Sequence, residues 1–105
     1  MITEQQLIEI GQITKLHGLK GEMQATVTDT VFDDVAHCPY LVLEMDGIYV
    51  PFFLKGYRFK SSQSLLLSFD DVESQEKAEP FCGKTLYFDR RCFTPEEEAD
   101  YEAEA

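Results

Sequence analysis

The chain has 105 residues, 44% of them apolar, and a formal net charge of −11. That size fits one domain with a packed core, and no run reaches the roughly 18 apolar residues of a membrane helix. The charge disfavours a general nucleic-acid binder, whose affinity comes largely from neutralised phosphates.

The first six residues are polar and read as a loose lead-in. Residues 8–15 then form a strand in which Ile8 and Ile10 share one parity and Ile13 the other. An extra residue near Gly11 restores the alternation, because a bulge inserts one residue and bends the strand. Residues 16–21 form a Gly-rich corner containing His17, Gly18, Leu19, Lys20 and Gly21. The second strand, 22–28, is the cleanest pattern in the chain. Met23, Ala25 and Val27 point one way, and Glu22, Gln24, Thr26 and Thr28 the other, so one face is dry and one wet. Asp29-Thr30 can cap a short helical turn at 31–36, with Val31 or Phe32 and Val35 on the core side, and Cys38-Pro39 ends it.

A third strand spans 40–45. Asp46-Gly47 is a strong hairpin signal, since a type I′ turn needs positive φ at both central positions. The fourth strand, 48–59, holds Pro51, which cannot donate to a ladder and so belongs at an edge or a bulge. Gly56 splits that strand, and the apolar parity changes across it. A turn at 60–63 leads to a fifth strand, 64–69, with Leu65, Leu67 and Phe69 on one face. An acidic loop at 70–73 precedes Ser74, which can cap a helix at 75–81 carrying the stripe Ala78, Phe81 and Cys82. Pro80 limits that helix to about two turns. Gly83 stops it, and residues 85–89 form the sixth strand, which 90–93 trails. Six short strands with little helix predict an all-β fold, a small six-stranded antiparallel barrel with one or two short helical turns. Closure removes the edges that otherwise aggregate.

The run IGQITKLHGLKGEMQATVTDT, with Gly11, Ile13, His17, Gly18, Leu19, Lys20, Gly21, Glu22, Thr28 and Asp29 at the matching positions, resembles the opening of the RimM family of ribosome maturation factors. LLLSFDDVESQEKAEPFCGKTLYF is similar to that family's later strand, acidic loop, helix and last strand. The resemblance covers residues 7–93. It implies a translation-factor-like N-terminal barrel at 1–93. It further implies that 94–105 is an acidic linker or tail, with the family's second, PRC-type barrel absent from this chain. It implies a ribosome assembly factor that associates with the small ribosomal subunit, assists maturation of its head region and rRNA processing, and binds a ribosomal protein there. A β-barrel module contacting rRNA directly is the alternative.

The charge bears on that choice. The tail from 94 holds six acids and no base, and the remaining 14 acids against 9 bases leave the body at −5. This favours docking on a basic ribosomal protein, with rRNA contact secondary. The direct RNA reading requires Lys15, Lys20, Lys55, Arg58, Lys60 and Arg90 to cluster on one face.

His17 has no nucleophile or carboxylate partner at a recognisable spacing, so no catalytic role is expected and the chain is not read as an enzyme. A ring that hydrogen-bonds backbone in the corner is the simpler reading, and a partner contact the second. The corner lacks phosphate-loop spacing and leads into a strand rather than a helix. Alternation sends Arg58 and Lys60 outward and Tyr57 and Phe59 to the core. His17, Leu19, Lys20, Arg58 and Lys60 are therefore the candidate partner-binding residues, and Gly11, Gly18, Gly21, Gly47, Gly56 and Gly83 the structural turn and bulge glycines. The cysteines Cys38, Cys82 and Cys92 are too few and too dispersed for a disulfide framework or zinc. They fit reduced, mostly buried thiols. No secretory leader is recognisable at the N-terminus. No cofactor, metal or membrane is expected, and the expected state is a cytoplasmic monomer.

Overall fold

A computed structural model describes residues 2–28 and 38–92. The short helical turn expected at 31–36 and the acidic tail lie outside the described residues. The strands are β1 (Leu7–His17), β2 (Glu22–Val27), β3 (Tyr40–Met45), β4 (Ile48–Ser61), β5 (Ser64–Phe69) and β6 (Thr85–Asp89). They close an antiparallel barrel in the order β1-β2-β5-β4-β3-β6.

The alternation expected from the sequence is what fills the barrel. Met23, Ala25, Leu65, Leu67, Phe69 and Leu86 are fully buried inside it. Phe52, Phe69 and Phe81 form a three-ring cluster with centroids 4.8 to 5.6 Å apart, the shortest pair edge-to-face. Isoleucine parity in β1 changes as expected. The register shifts between Glu9 and Gly11 against β6, and between Ile13 and Lys15 against β2. Gly11 permits the close approach of β1 to β2, because a Cβ there would lie 2.1 Å from the Thr26 carbonyl oxygen.

β4 is the longest strand. Its first half, through Phe53, pairs with β3, and from Leu54 it pairs with β5. The handover falls at a register shift between Leu54 and Gly56, where the sequence places a bend. Pro51 sits on the half bonded to β3, which lacks β5 as a second partner. Asp46 and Gly47 both have positive φ, at 53° and 83°, as the hairpin turn requires.

Several local expectations are corrected. The lead-in is not loose: Glu4–Gln6 form a 3-10 turn, with the Thr3 amide donating to Gln6 Oε1 at 2.9 Å. β4 continues through Ser61, so Lys60 belongs to a strand rather than a turn. Helix α1 covers only Gln75–Ala78 and gives way to a 3-10 turn at Glu79–Phe81 that contains Pro80. That change of pitch leaves Ala78 and Phe81 buried but Cys82 exposed. Cys92 is half-buried, so of the three thiols only Cys38 is fully buried.

Candidate functional site

The corner after β1 is held by backbone. Gly21 packs so tightly on the loop after β5 that a Cβ would meet the Val72 carbonyl oxygen at 2.2 Å, and its φ is +92°. The Gln75 amide donates to the Leu19 carbonyl at 3.1 Å, tying the corner to the start of α1. Ser74 caps that helix, its Oγ accepting from the Lys77 amide at 3.2 Å. Leu19 is consequently presented on a fixed frame, with 76% of its surface exposed. It lines a groove of about 390 Å³ with His17, Gly18, Lys20 and Glu22.

The His17 ring takes a different partner from the one expected. Its Nε2 lies 3.8 Å from Glu22 Oε1, and Arg58 Nη2 lies 3.4 Å from the same oxygen. Glu22 thus joins the β1 end of the corner to β4. A second groove, of about 230 Å³, is lined by Lys20, Glu22, Lys55, Ser68 and Val72.

Strand register extends this arrangement into a surface. On the outside of β1, β2, β5 and β4, Lys15, Gln24, Leu66 and Arg58 form one cross-strand row. Gln12, Thr26, Ser64 and Ser61 form the row below. Alternation from Arg58 puts Lys60 on this side of β4, at the register shift between Phe59 and Ser61, and Lys20 and Lys55 line one groove with Glu22. Five of the six cations considered from the sequence therefore gather on one face, while Arg90 lies beyond the end of β6. Leu66 points outward in this row yet is only 3% exposed. Its row neighbours Gln24 and Arg58 bring apolar stems alongside it. Tyr57 departs from expectation. It shares inward parity with Phe59 but is 43% exposed and meets the Phe59 ring edge-on at 6.2 Å.

The opposite outer face, over β6, β3 and the first half of β4, has another character. Glu9 pairs with Tyr87, Val42 with both Tyr87 and Pro51, and Glu44 with Tyr49. Tyr49 and Tyr87 meet edge-to-face at 5.8 Å. Burial, then Glu4 and Glu44, raises the Tyr49 hydroxyl above its ordinary range. Burial, then Tyr49, Glu9 and Glu44, does the same to Tyr87. Ile2, Ile48, Tyr49, Pro51 and Arg91 line a groove of about 530 Å³ here.

This second face ends in a lock that the sequence reading missed. Asp89 is fully buried and accepts from Tyr40 Oη at 2.9 Å, from the Arg91 amide at 2.9 Å, and from Arg91 Nη2 at 2.6 Å. Burial acts to raise the Asp89 pKa, but the hydrogen bonds from Arg91 and Tyr40 outweigh it and the net shift is downward. Burial and the Asp89 hydrogen bond push the Tyr40 hydroxyl strongly upward. The available signal was a lone Asp ending an apolar strand two residues before an Arg. Among the described residues, no cluster of His, Cys, Asp or Glu could hold a metal ion.

A closed six-stranded barrel with a pinned His-Gly corner defines a class, and the comparisons identify it. A family model described as the RimM N-terminal domain matches residues 8–93, and the chain belongs to that family. The ribosome maturation factor RimM of Phocaeicola vulgatus is 42% identical over 100 residues, covering 95% of this chain and 58% of that protein. That of Parabacteroides distasonis is 43% identical over 88 residues, covering 84% of this chain and 50% of that protein. The chain therefore spans about half the length of these relatives. Two solved structures share the fold at low identity. A RimM protein of Pseudomonas aeruginosa has a TM-score of 0.70 at 22% identity, over 85% of this chain and 53% of that one. The N-terminal domain of Thermus thermophilus RimM has a TM-score of 0.67 at 20% identity, over 85% of this chain and 95% of that one.

Proposed function

We propose that this chain is a non-catalytic ribosome assembly unit that associates with the small ribosomal subunit in the cytoplasm. It assists maturation of the subunit head and rRNA processing there, as a monomer. The relatives are named ribosome maturation factors, and the Pseudomonas aeruginosa protein is named for 16S ribosomal RNA processing.

One observation carries the choice of partner. The face over β6, β3 and the first half of β4 sets Glu4, Glu9 and Glu44 around the Tyr49–Tyr87 pair. Aromatic side chains supply area that a partner can desolvate, and carboxylates at the rim steer a basic surface onto it. A basic ribosomal protein of the head fits this chemistry, and docking there holds a late intermediate while its RNA folds. The Arg91 charge beside the groove is compensated by Asp89 at 2.6 Å, so it opposes such a partner only weakly.

The test is co-sedimentation of the 105-residue chain with purified small subunits over a salt series. Binding that weakens as salt rises, and that is lost in Glu9→Lys with Glu44→Lys, supports this face as the dock. Binding that ignores both salt and the double variant rules the face out.

A further inference from the structure

On the reading that this chain serves ribosome assembly, we infer that the outer face of β1, β2, β5 and the second half of β4 binds unpaired RNA. The chain's total charge of −11 hides this face. Of its nine Lys and Arg residues, five are gathered here: Lys15, Lys20, Lys55, Arg58 and Lys60. The two strand rows described above hold no carboxylate, and Glu22, which flanks them at the corner end, is already shared by Arg58 and His17. The acidic loop of Asp70, Asp71 and Glu73 borders only the Lys20–Lys55 end, where Val72 lines the same groove. Charges on the far side of the barrel act weakly across more than a Debye length of about 8 Å. Among the described residues, a ligand on this face therefore meets more cations than free carboxylates.

Shape and chemistry select the ligand. Four strands spaced at about 4.8 Å give a surface about 14 Å wide, enough for a nucleic-acid strand to lie across it. The row Gln12, Thr26, Ser64 and Ser61 presents three hydroxyl groups, which contact phosphate and sugar oxygens, while the Gln12 amide donates to the Gly83 carbonyl at 2.9 Å. Tyr57 is 43% exposed but points to the opposite side of β4 from Arg58, against Phe59, so it is not part of this face. Cations that track a backbone are one element of single-strand recognition. An acidic peptide would use the cations but would leave the hydroxyl row without a role.

The experiment is fluorescence anisotropy of the 105-residue chain with two labelled probes, a single-stranded RNA oligonucleotide and a poly-glutamate peptide of equal charge. The RNA is expected to bind more tightly. Neutralising four phosphates gives a slope of log K against log salt of about −3, from roughly −0.7 per contact. Lys15→Glu with Arg58→Glu should lower RNA affinity about tenfold or more. Arg90→Glu, which changes the charge by half as much and lies beyond the end of β6, should leave it unchanged. Equal binding of both probes overturns the proposal in favour of a general acidic partner. No RNA binding, or equal damage from Arg90→Glu, overturns it outright. Glu9→Lys with Glu44→Lys separates this proposal from the docking reading. If that variant loses the subunit but still binds RNA, the basic face acts independently. If it keeps the subunit and the Lys15/Arg58 variant does not, the dock is wrong and the RNA face stands.

Discussion

The two outer faces of the barrel share strands yet differ in what lies on them. Over β1, β2, β5 and the end of β4 the surface is cationic and hydroxyl-rich, with its one strand carboxylate already paired. Over β6, β3 and the start of β4 it is aromatic and rimmed by Glu4, Glu9 and Glu44. The difference teaches that net charge is a poor guide to the local field on a small barrel. Every strand has an outward side, and closure sorts those sides into separate fields. The faces also differ in how they are held. The cationic face rests on backbone pairing and on the pinned corner at Gly21. The acidic face depends on a buried side-chain lock at Asp89.

The largest way to erase the comparison is to empty the core beneath both faces. Phe69→Ala removes the ring packed on Phe52 and Phe81, and a loss of about 3–5 kcal/mol is expected in denaturant unfolding. Both RNA binding and subunit binding should fall together.

Asp89→Ala should damage the acidic face first. It strands the Tyr40 hydroxyl and the Arg91 guanidinium, and a loss of about 2–4 kcal/mol is expected. The Asp89 pKa is depressed in the folded state. Its contribution is therefore fully present above the unfolded value of about 3.9 and fades as pH falls through the folded value. The stability gap between Asp89→Asn and the parent should close on acidification below about pH 4. A gap that stayed constant to low pH would show that the carboxylate charge does not carry the lock.

Gly21→Ala targets the other face. The new Cβ meets the Val72 carbonyl at positive φ, which should cost about 1–3 kcal/mol and weaken RNA binding more than subunit docking. Equal weakening of both would mean that the corner supports the whole barrel rather than one face.

Glu22→Gln gives the smallest and sharpest test. Its pairs with Arg58 and His17 are largely exposed, so stability should change by less than about 0.5 kcal/mol. RNA affinity should rise about two- to threefold as Arg58 is released. An unchanged or lower affinity would count against Arg58 as a phosphate contact.

Much of this fold was legible because strand alternation is a local signal. Met23, Ala25 and Val27 declared a dry face without knowledge of any neighbour, and Asp46-Gly47 declared its own turn. What the sequence hid depends on closure. Leu66 and Val42 have outward parity, yet both are buried by strands far away in the chain. Asp89 acquires its meaning only when Tyr40, 49 residues away, arrives beside it. The gathering of Lys15 with Arg58 required the order β1-β2-β5-β4, which no local pattern encodes. The corner was recognised as a turn, but its Glu22–His17 contact and its tie to α1 were not, because both reach across separate elements.

The single strand β4 runs through both faces, with its register shift at Gly56 marking the border. Its first half offers Tyr49 and Pro51 to one side, and its second half offers Arg58 and Lys60 to the other. The separation between a docked protein and a docked RNA is then set like the arms of a caliper, by one continuous backbone and one bend. A residue inserted beside Gly56 would either widen that bulge or slip the β4–β5 register by one, which would turn Arg58 and Lys60 to the other side of the strand.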